Sequence, residues 1–270
     1  MAKLRADLLL VEQGLAPSRE RAQALIRAGQ VMADGKPVTK PAAQLEETAA
    51  LALSGEVLPF VSRGGLKLDK AVRNYALDLT GVTAMDVGAS TGGFTDCMLR
   101  AGAAHVYAID VGTNQLAASL RADPRVTVME QRNAREMTPA WFSAPPDFAA
   151  TDVSFISVRL ILPAMYACLA DQARAVILVK PQFEAGRARV GKNGVVRDRR
   201  VHEDVLAETA QFAAALGFAV QALDFSPITG PQGNVEFLML LEKGGGPGIS
   251  DIPAEAARVV REAHAFFAQA

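Results

Sequence analysis

Cysteine, histidine and tryptophan are scarce in this 270-residue chain, at two, three and one residues. Cys97 and Cys168 lie far apart and form no C-x-x-C pair, so two reduced thiols packed as small hydrophobes are expected rather than a disulfide or a metal site. His105, His202 and His264 are equally scattered, and no zinc site can be built from them. Long apolar runs are missing too. No eighteen residues pass without a charge, and the apolar stretch near the start, Leu8 to Val11, is too short for a secretory signal. A cytoplasmic protein that neither spans a membrane nor holds a metal is expected. Excess charge of either sign is absent as well, the net being −1. What remains is an ordinary globular composition, 50% hydrophobic and 21% charged, on a chain long enough for two domains.

The small net charge hides an uneven distribution. Between Lys180 and Arg200 seven basic residues face two acidic ones, Glu184 and Asp198, in a stretch broken by Pro181, Gly186, Gly191 and Gly194. A basic loop carrying Arg187 and Arg189 is expected there. Residues 1–58 read as a separate unit. Asp7–Glu12 has helical spacing and stops at Gly14. A second helix runs Arg19–Arg27 and ends at Gly29, and Val31–Val38 folds over an Asp34-Gly35 turn. This order, with Arg5, Asp7, Gly14, Arg19, Gly29, Gly35 and Lys40 at their spacings, resembles the S4 RNA-binding domain. The resemblance implies that Arg19, Arg21 and Lys40 face RNA phosphates, with Arg5 and the later Arg63 in the same role.

Residues 59–270 alternate apolar strands with helical patterns. The strands are Ala84–Val87, His105–Ile109, Val126–Met129, Phe148–Asp152 and Ala175–Val179. The helices are Phe94–Ala101, Gln115–Ala122, Val158–Leu169 and Val201–Leu216. That alternation predicts an α/β fold, a Rossmann-like parallel sheet covered by helices. Phe218–Phe225 and Val235–Leu241 have no helix between them, so the last strand should run antiparallel. The first strand leads into Asp86-Val87-Gly88-Ala89-Ser90-Thr91-Gly92-Gly93-Phe94, a glycine-rich strand-to-helix turn over which a cofactor can approach the backbone. An acid immediately before the turn would repel a pyrophosphate, which argues against a dinucleotide, but suits the ammonium and sulfonium of S-adenosylmethionine. Asp110, followed by Val111, ends the second strand where an acid accepts ribose hydroxyls, and Asn133 follows the third as a partner for an adenine edge.

Four charges interrupt otherwise apolar elements: Lys67, Asp152, Lys180 and Glu236. Any one alone reads as half of an ion pair. Together, at the carboxyl ends of a parallel sheet, they read as a site. With Ser62-Arg63-Gly64-Gly65-Leu66-Lys67, Asp152-Val153-Ser154-Phe155-Ile156-Ser157, Lys180-Pro181-Gln182-Phe183-Glu184 and Gly233-Asn234-Val235-Glu236, the chain resembles the TlyA (haemolysin A) family, whose catalytic domain is of the FtsJ class. The resemblance implies a Lys67-Asp152-Lys180-Glu236 tetrad and 2′-O-methylation of cytidine riboses. It makes ribosomal RNA or ribosomal subunits the partner, S-adenosylmethionine the cofactor, and Asp152 a neighbour of both. One departure stands out: the stretch Gly55–Val61 lacks the Arg/Trp-containing linker of some members. Rival readings are a membrane-acting haemolysin and an RNA-binding module with a silenced methyltransferase fold.

Overall fold

The computed structural model describes residues 3–27, 30–53, 58–230 and 232–269. Gly29, the expected end of the second helix, and residues 55–57 of the expected linker lie outside them. The chain forms two compact units, Met1–Val61 and Ser62–Ala270.

In the first unit, β1 (Lys3–Arg5) leads into α1 (Ala6–Glu12) and α2 (Arg19–Arg27). β2 (Val31–Ala33) and β3 (Lys36–Pro37) follow, then β4 (Gln44–Glu46) and β5 (Leu51–Leu53). β2 lies between β3 and β5, and the Asp34-Gly35 turn takes positive φ at both residues, the hairpin geometry that this dipeptide favours. The pairing of β1 with β4 carries no alternating pattern and was not expected from the sequence. Ala6, Leu10, Ala22, Leu25, Ile26 and Val31 form the core.

Beside that core Asp7 is fully buried, and its carboxylate accepts from Arg5 (2.9 Å to each oxygen), Arg19 Nε (3.0 Å) and Gln23 Nε2 (2.9 Å). These donors, Arg5 foremost, outweigh burial and hold Asp7 well below the usual carboxylate range. Arg5 and Arg19 are therefore partly spent on an internal clamp, while 36% and 51% of their side chains stay exposed. Asp7→Ala frees guanidinium groups that already reach water. The expected cost is thus the lost charge-assisted bonds, about 2–3 kcal/mol. Hydrogen exchange of peptides from residues 3–27 in the full chain should quicken accordingly, and unchanged protection would contradict the clamp.

The second unit opens with α3 (Gly64–Asn74) and continues β6 (Thr83–Val87), α4 (Gly93–Arg100), β7 (His105–Ile109), α5 (Ala118–Arg121) and β8 (Val126–Met129). β9 (Phe148–Thr151), α6 (Leu162–Cys168), β10 (Arg174–Val179), α7 (Pro181–Glu184), α8 (Arg199–Ala215), β11 (Phe218–Phe225), β12 (Phe237–Lys243) and α9 (Ile252–Phe267) complete it. The sheet order is β11-β12-β10-β9-β6-β7-β8, with β12 antiparallel to both neighbours and the other pairings parallel. The central strands β9 and β10 are buried on both faces, as their unbroken apolar runs require. Among the described residues no helix is long and apolar enough to cross a membrane. Cys97 and Cys168 are buried free thiols, pushed up by burial to about 12 and about 11.

Two helices are shorter than their periodicity predicts. The Glu130 carboxylate takes the backbone N–H groups of Asn114, Gln115 and Leu116, which holds them as a turn and delays α5 until Ala118. Pro163 brings no N–H to the start of α6, so Val158–Leu160 forms a separate 3-10 turn.

His202 on α8, 1% exposed, lies 3.1 Å from the Val196 carbonyl through Nε2, which must donate. Its Nδ1 therefore accepts from His264 Nε2 on α9 at 2.9 Å. Burial, then His264, lowers the His202 pKa to about 4. The unfolded chain thus binds the extra proton more readily. The pair's stabilisation is complete above pH 6.5, the ordinary histidine value, and fades as pH falls toward about 4. The loss amounts to about 3 kcal/mol at most. Urea titrations followed by the lone tryptophan, Trp141, should show wild type losing its advantage over His202→Gln between pH 7 and pH 5. A constant difference would contradict this.

Candidate active site

α3 carries Lys67 and is docked by Lys70, one turn on. The Lys70 ammonium reaches Asp224 Oδ1 (2.8 Å), the Phe225 carbonyl (2.6 Å) and the Phe225 ring (3.5 Å). Asp152 follows β9, Lys180 follows β10, and Glu236 immediately precedes β12 rather than beginning it. These four elements bring all four predicted charges together. Lys67 Nζ lies 2.7 Å from Glu236 Oε2 and 3.3 Å from Asp152 Oδ2, while Lys180 Nζ lies 2.5 Å from Asp152 Oδ1. Lys67, Lys180 and Glu236 are 8%, 7% and 1% exposed, so little water screens them. Burial alone would pull the Lys67 pKa down, but Asp152 and Glu236 outweigh it and the net shift is upward. Lys67 is therefore a fixed cation at neutral pH.

Two partners escaped the sequence reading. Ser154 Oγ accepts from Lys180 Nζ at 2.8 Å, and Gln182 Nε2 donates to Glu236 Oε1 at 3.4 Å. Both sit inside motifs whose charged residues drew the attention. Phe155 was missed for the opposite reason, because aromatic residues ordinarily bury. Here it is 92% exposed, holds φ 64° and tilts against Phe183 at 5.3 Å.

The tetrad lines a cavity of about 360 Å³ with Ser62, Arg63, Ser90 and the Ile228–Gly230 loop. A second cavity, about 510 Å³, opens over the carboxyl ends of β6 and β7, lined by Asp110, Val111, Gln115, Arg132, Asn133 and Phe155 among others. Gly88, Ser90, Asp152 and Ser154 line both. The second cavity has the size of a small-molecule site. Asp110 accepts from the Ser90 and Gly112 amides, one on each carboxylate oxygen, which fixes it as an outward-facing acceptor with lone pairs to spare.

Other expected cofactor contacts are placed differently. Asp86 is fully buried and lines neither cavity. One oxygen accepts from Thr95 Oγ1 at 2.6 Å and the other has no partner, and burial pushes its pKa up to about 7. It supports the turn from beneath. Asn133 spends its side chain on Arg135 N and Glu136, capping a 3-10 turn, so only its position on the wall matches the expectation. The glycines serve packing rather than open approach. A Cβ on Gly88 would meet the Asp152 carbonyl at 2.9 Å, one on Gly93 would meet Ser62 Oγ at 2.3 Å, and one on Gly92 would meet Leu120 Cδ1 at 2.3 Å. Phe94 and Gly93 touch the tetrad cavity and not its neighbour.

Among the expected RNA contacts, Arg21 donates to the Leu58 carbonyl at 2.6 Å, and Arg189 to the Ala185 carbonyl, with Asp204 and Glu208 beside it. Lys40 is exposed, Arg63 lines the tetrad cavity, and Arg187 lines a groove beside Phe155 and Phe183.

The FtsJ-like methyltransferase family model matches residues 60–243, and the S4 domain model matches residues 4–50. The chain belongs to the FtsJ-like methyltransferase family. Its relatives include the 16S/23S rRNA (cytidine-2′-O)-methyltransferase TlyA of Mycobacterium tuberculosis, 45% identical over 88% of this chain and 90% of the relative. Hemolysin A of Brachyspira hyodysenteriae is 39% identical over 87% of this chain and 98% of its own. A solved hemolysin-named structure from Streptococcus thermophilus superposes with a TM-score of 0.79 at 49% identity, covering 100% of this chain and 98% of that one. In this FtsJ-like methyltransferase the turn before α4 tolerates no side chain at Gly92, which also holds φ 97°. Gly92→Ala should cost about 2–5 kcal/mol through the left-handed backbone and the clash with Leu120. Urea unfolding followed by Trp141 fluorescence checks this, and a loss below ~1 kcal/mol would contradict it.

Proposed function

We propose that the protein transfers a methyl group from S-adenosylmethionine to the 2′-hydroxyl of a cytidine ribose in ribosomal RNA. One observation carries the reading: the lysine–carboxylate tetrad and a cofactor-sized cavity share a wall made of Gly88, Ser90, Asp152 and Ser154. A group held in one cavity can pass to an atom held in the other. The family and the printed name of the TlyA relative supply the substrate class.

Asp110 would hold the cofactor's ribose, and Gly88, Ser90, Val111 and Asn133 would form the walls around it. When bound, S-adenosylmethionine supplies an electrophilic methyl group on a good leaving group. A ribose hydroxyl is a weak nucleophile at neutral pH, so the rest falls to the side chains. Lys180 would contact the 2′-oxygen, taking its proton when neutral or donating to the developing oxyanion when charged. Its ion pair with Asp152 and its bond to Ser154 favour the second role, electrostatic stabilisation of the oxygen, with the hydroxyl proton released to solvent as the oxygen takes up the methyl group. Lys67, held charged by two carboxylates, and Glu236 would position the ribose. The exposed Phe155 ring at the rim suits stacking against a base taken out of its helix.

The N-terminal unit, with the boundary near residues 58–61, would hold the RNA backbone through Lys40 and the outer edges of Arg5, Arg19 and Arg21. Arg63, Arg187 and Arg189 would do so near the site. With ribosomal RNA as substrate, the enzyme works in the cytoplasm. Radiolabelled S-adenosylmethionine incubated with ribosomal subunits or free rRNA should leave alkali-stable 2′-O-methyl nucleotides. Lys180→Ala should lower that rate by at least ~10²–10³-fold with cofactor affinity nearly unchanged. Substantial residual methylation would remove Lys180 from this role.

A further inference from the structure

Glu184 is a buried carboxylate that the reading above does not use. Its side chain is 2% exposed although it closes the short helix α7, next to the basic loop. Oε1 accepts from the Val158 amide at 2.6 Å. Oε2 accepts from Ser157 Oγ at 2.6 Å and from Arg159 Nε at 3.3 Å, and Arg159 also donates to the Glu184 carbonyl at 3.1 Å. These bonds tie two chain segments beyond the paired ends of β9 and β10, alongside the contacts of Lys180 with Asp152 and Ser154. One is the loop after β9, which carries Asp152, Ser154 and the exposed Phe155. The other is the end of β10, where Lys180 stands at the N-cap of α7 and its carbonyl accepts from the Phe183 and Glu184 amides.

The loop is tied at its start as well, by the Asp152 amide on the Val87 carbonyl at 3.1 Å. Between these two ties it must place Asp152 Oδ1 and Ser154 Oγ on one ammonium while holding Phe155 at φ 64°, a conformation that non-glycine residues adopt at a cost. A strained segment persists only where its surroundings over-determine it. Charge-assisted bonds to a buried carboxylate are the strongest ties at its far end.

We infer that Glu184 is a positioning residue for methyl transfer: it locks the Asp152–Ser157 loop to the Lys180 end of β10 and so sets both the Lys180 geometry and the Phe155 conformation. The inference rests on the assignment of Lys180 as the group at the reacting oxygen. Glu184 itself touches neither cofactor nor RNA, so its loss should lower kcat and spare cofactor binding.

The test uses the full-length protein, with active sites counted by titration with S-adenosylhomocysteine so that misfolded protein does not enter the rate. Glu184→Ala should lower kcat per site on ribosomal subunits about 10²-fold, the scale of a small misplacement of reacting groups. S-adenosylhomocysteine affinity should stay within about two-fold. Glu184→Gln, whose amide can still span Val158 and Ser157, should recover most of the rate. Arg159→Gln, which leaves those two bonds in place, should stay close to wild type. A second readout needs no RNA. Fluorine NMR of 4-fluorophenylalanine placed at position 155 should give one sharp line with Glu184 present, and broadened or multiple lines in Glu184→Ala. If kcat per site stays within two-fold, or if it falls while the fluorine line is unchanged, Glu184 does not position the loop. If the unsubstituted enzyme binds cofactor but methylates no RNA, the proposed function fails, while the fluorine line still decides the role of Glu184.

Discussion

Asp152 is shared by two buried lysines, one on each carboxylate oxygen, and the arrangement of the catalytic unit follows from that sharing. A buried ammonium with no counter-charge would lose its proton or leave the interior. With Asp152 between them and Glu236 on Lys67, two cations and two anions sum to zero in a largely buried cluster. Buried ion pairs of this kind contribute little net stability, because desolvation consumes most of the attraction. Their retention across four separate elements is better explained by what the charges do together than by what they add to folding.

The sharing constrains the chain around it. Asp152 and Lys180 sit at the ends of adjacent parallel strands, the one edge of such a sheet where side chains from neighbouring strands can converge on a ligand. Lys67 must come from outside the sheet, so α3 is held by Lys70 on Asp224 and Phe225. Glu236 enters from the opposite direction, and the reversal of β12 makes that possible. Gly230 leaves room for it, since a Cβ there would stand 2.6 Å from Glu236 Oε1. The antiparallel strand thus brings an acid to the same end of the sheet as strands that run the other way.

The alternation of apolar strands and helices was legible because burial imposes period and length on every core strand. The tetrad was legible because charges at the ends of apolar runs are expensive enough to demand a reason. Less legible was anything settled by one side chain reaching across the fold. Glu130 cut α5 short by capturing three amides, and the spacing of Gln115–Ala122 could not reveal it. Asp86 and Asp110 look alike in sequence, each an acid at a strand end. Yet burial pushes Asp86 up to about 7 beneath the turn, while two backbone amides hold Asp110 on the cavity wall. Asn133 was assigned to the cofactor from its position alone and is occupied with capping. Glycine in a turn suggests room for a ligand, but at Gly88, Gly92 and Gly93 the space is filled by the protein itself.

The same limit governs the arginines. A count of basic positions treats each as a free charge for phosphate, whereas Arg5 and Arg19 converge on Asp7 and Arg189 lies against Asp204 and Glu208. A guanidinium already paired gives up part of its Coulomb attraction for an incoming phosphate and displaces fewer counterions. It gains a fixed direction in exchange, because the clamp removes rotamers that a free arginine would have to lose on binding. On the proposed function, RNA recognition by a chain of net charge −1 would depend less on bulk attraction than on where a few rigid donors stand. Discrimination among RNA shapes would then rest on the spacing of those donors within each unit, and the buried Asp7 that holds two of them would shape the recognition surface from beneath.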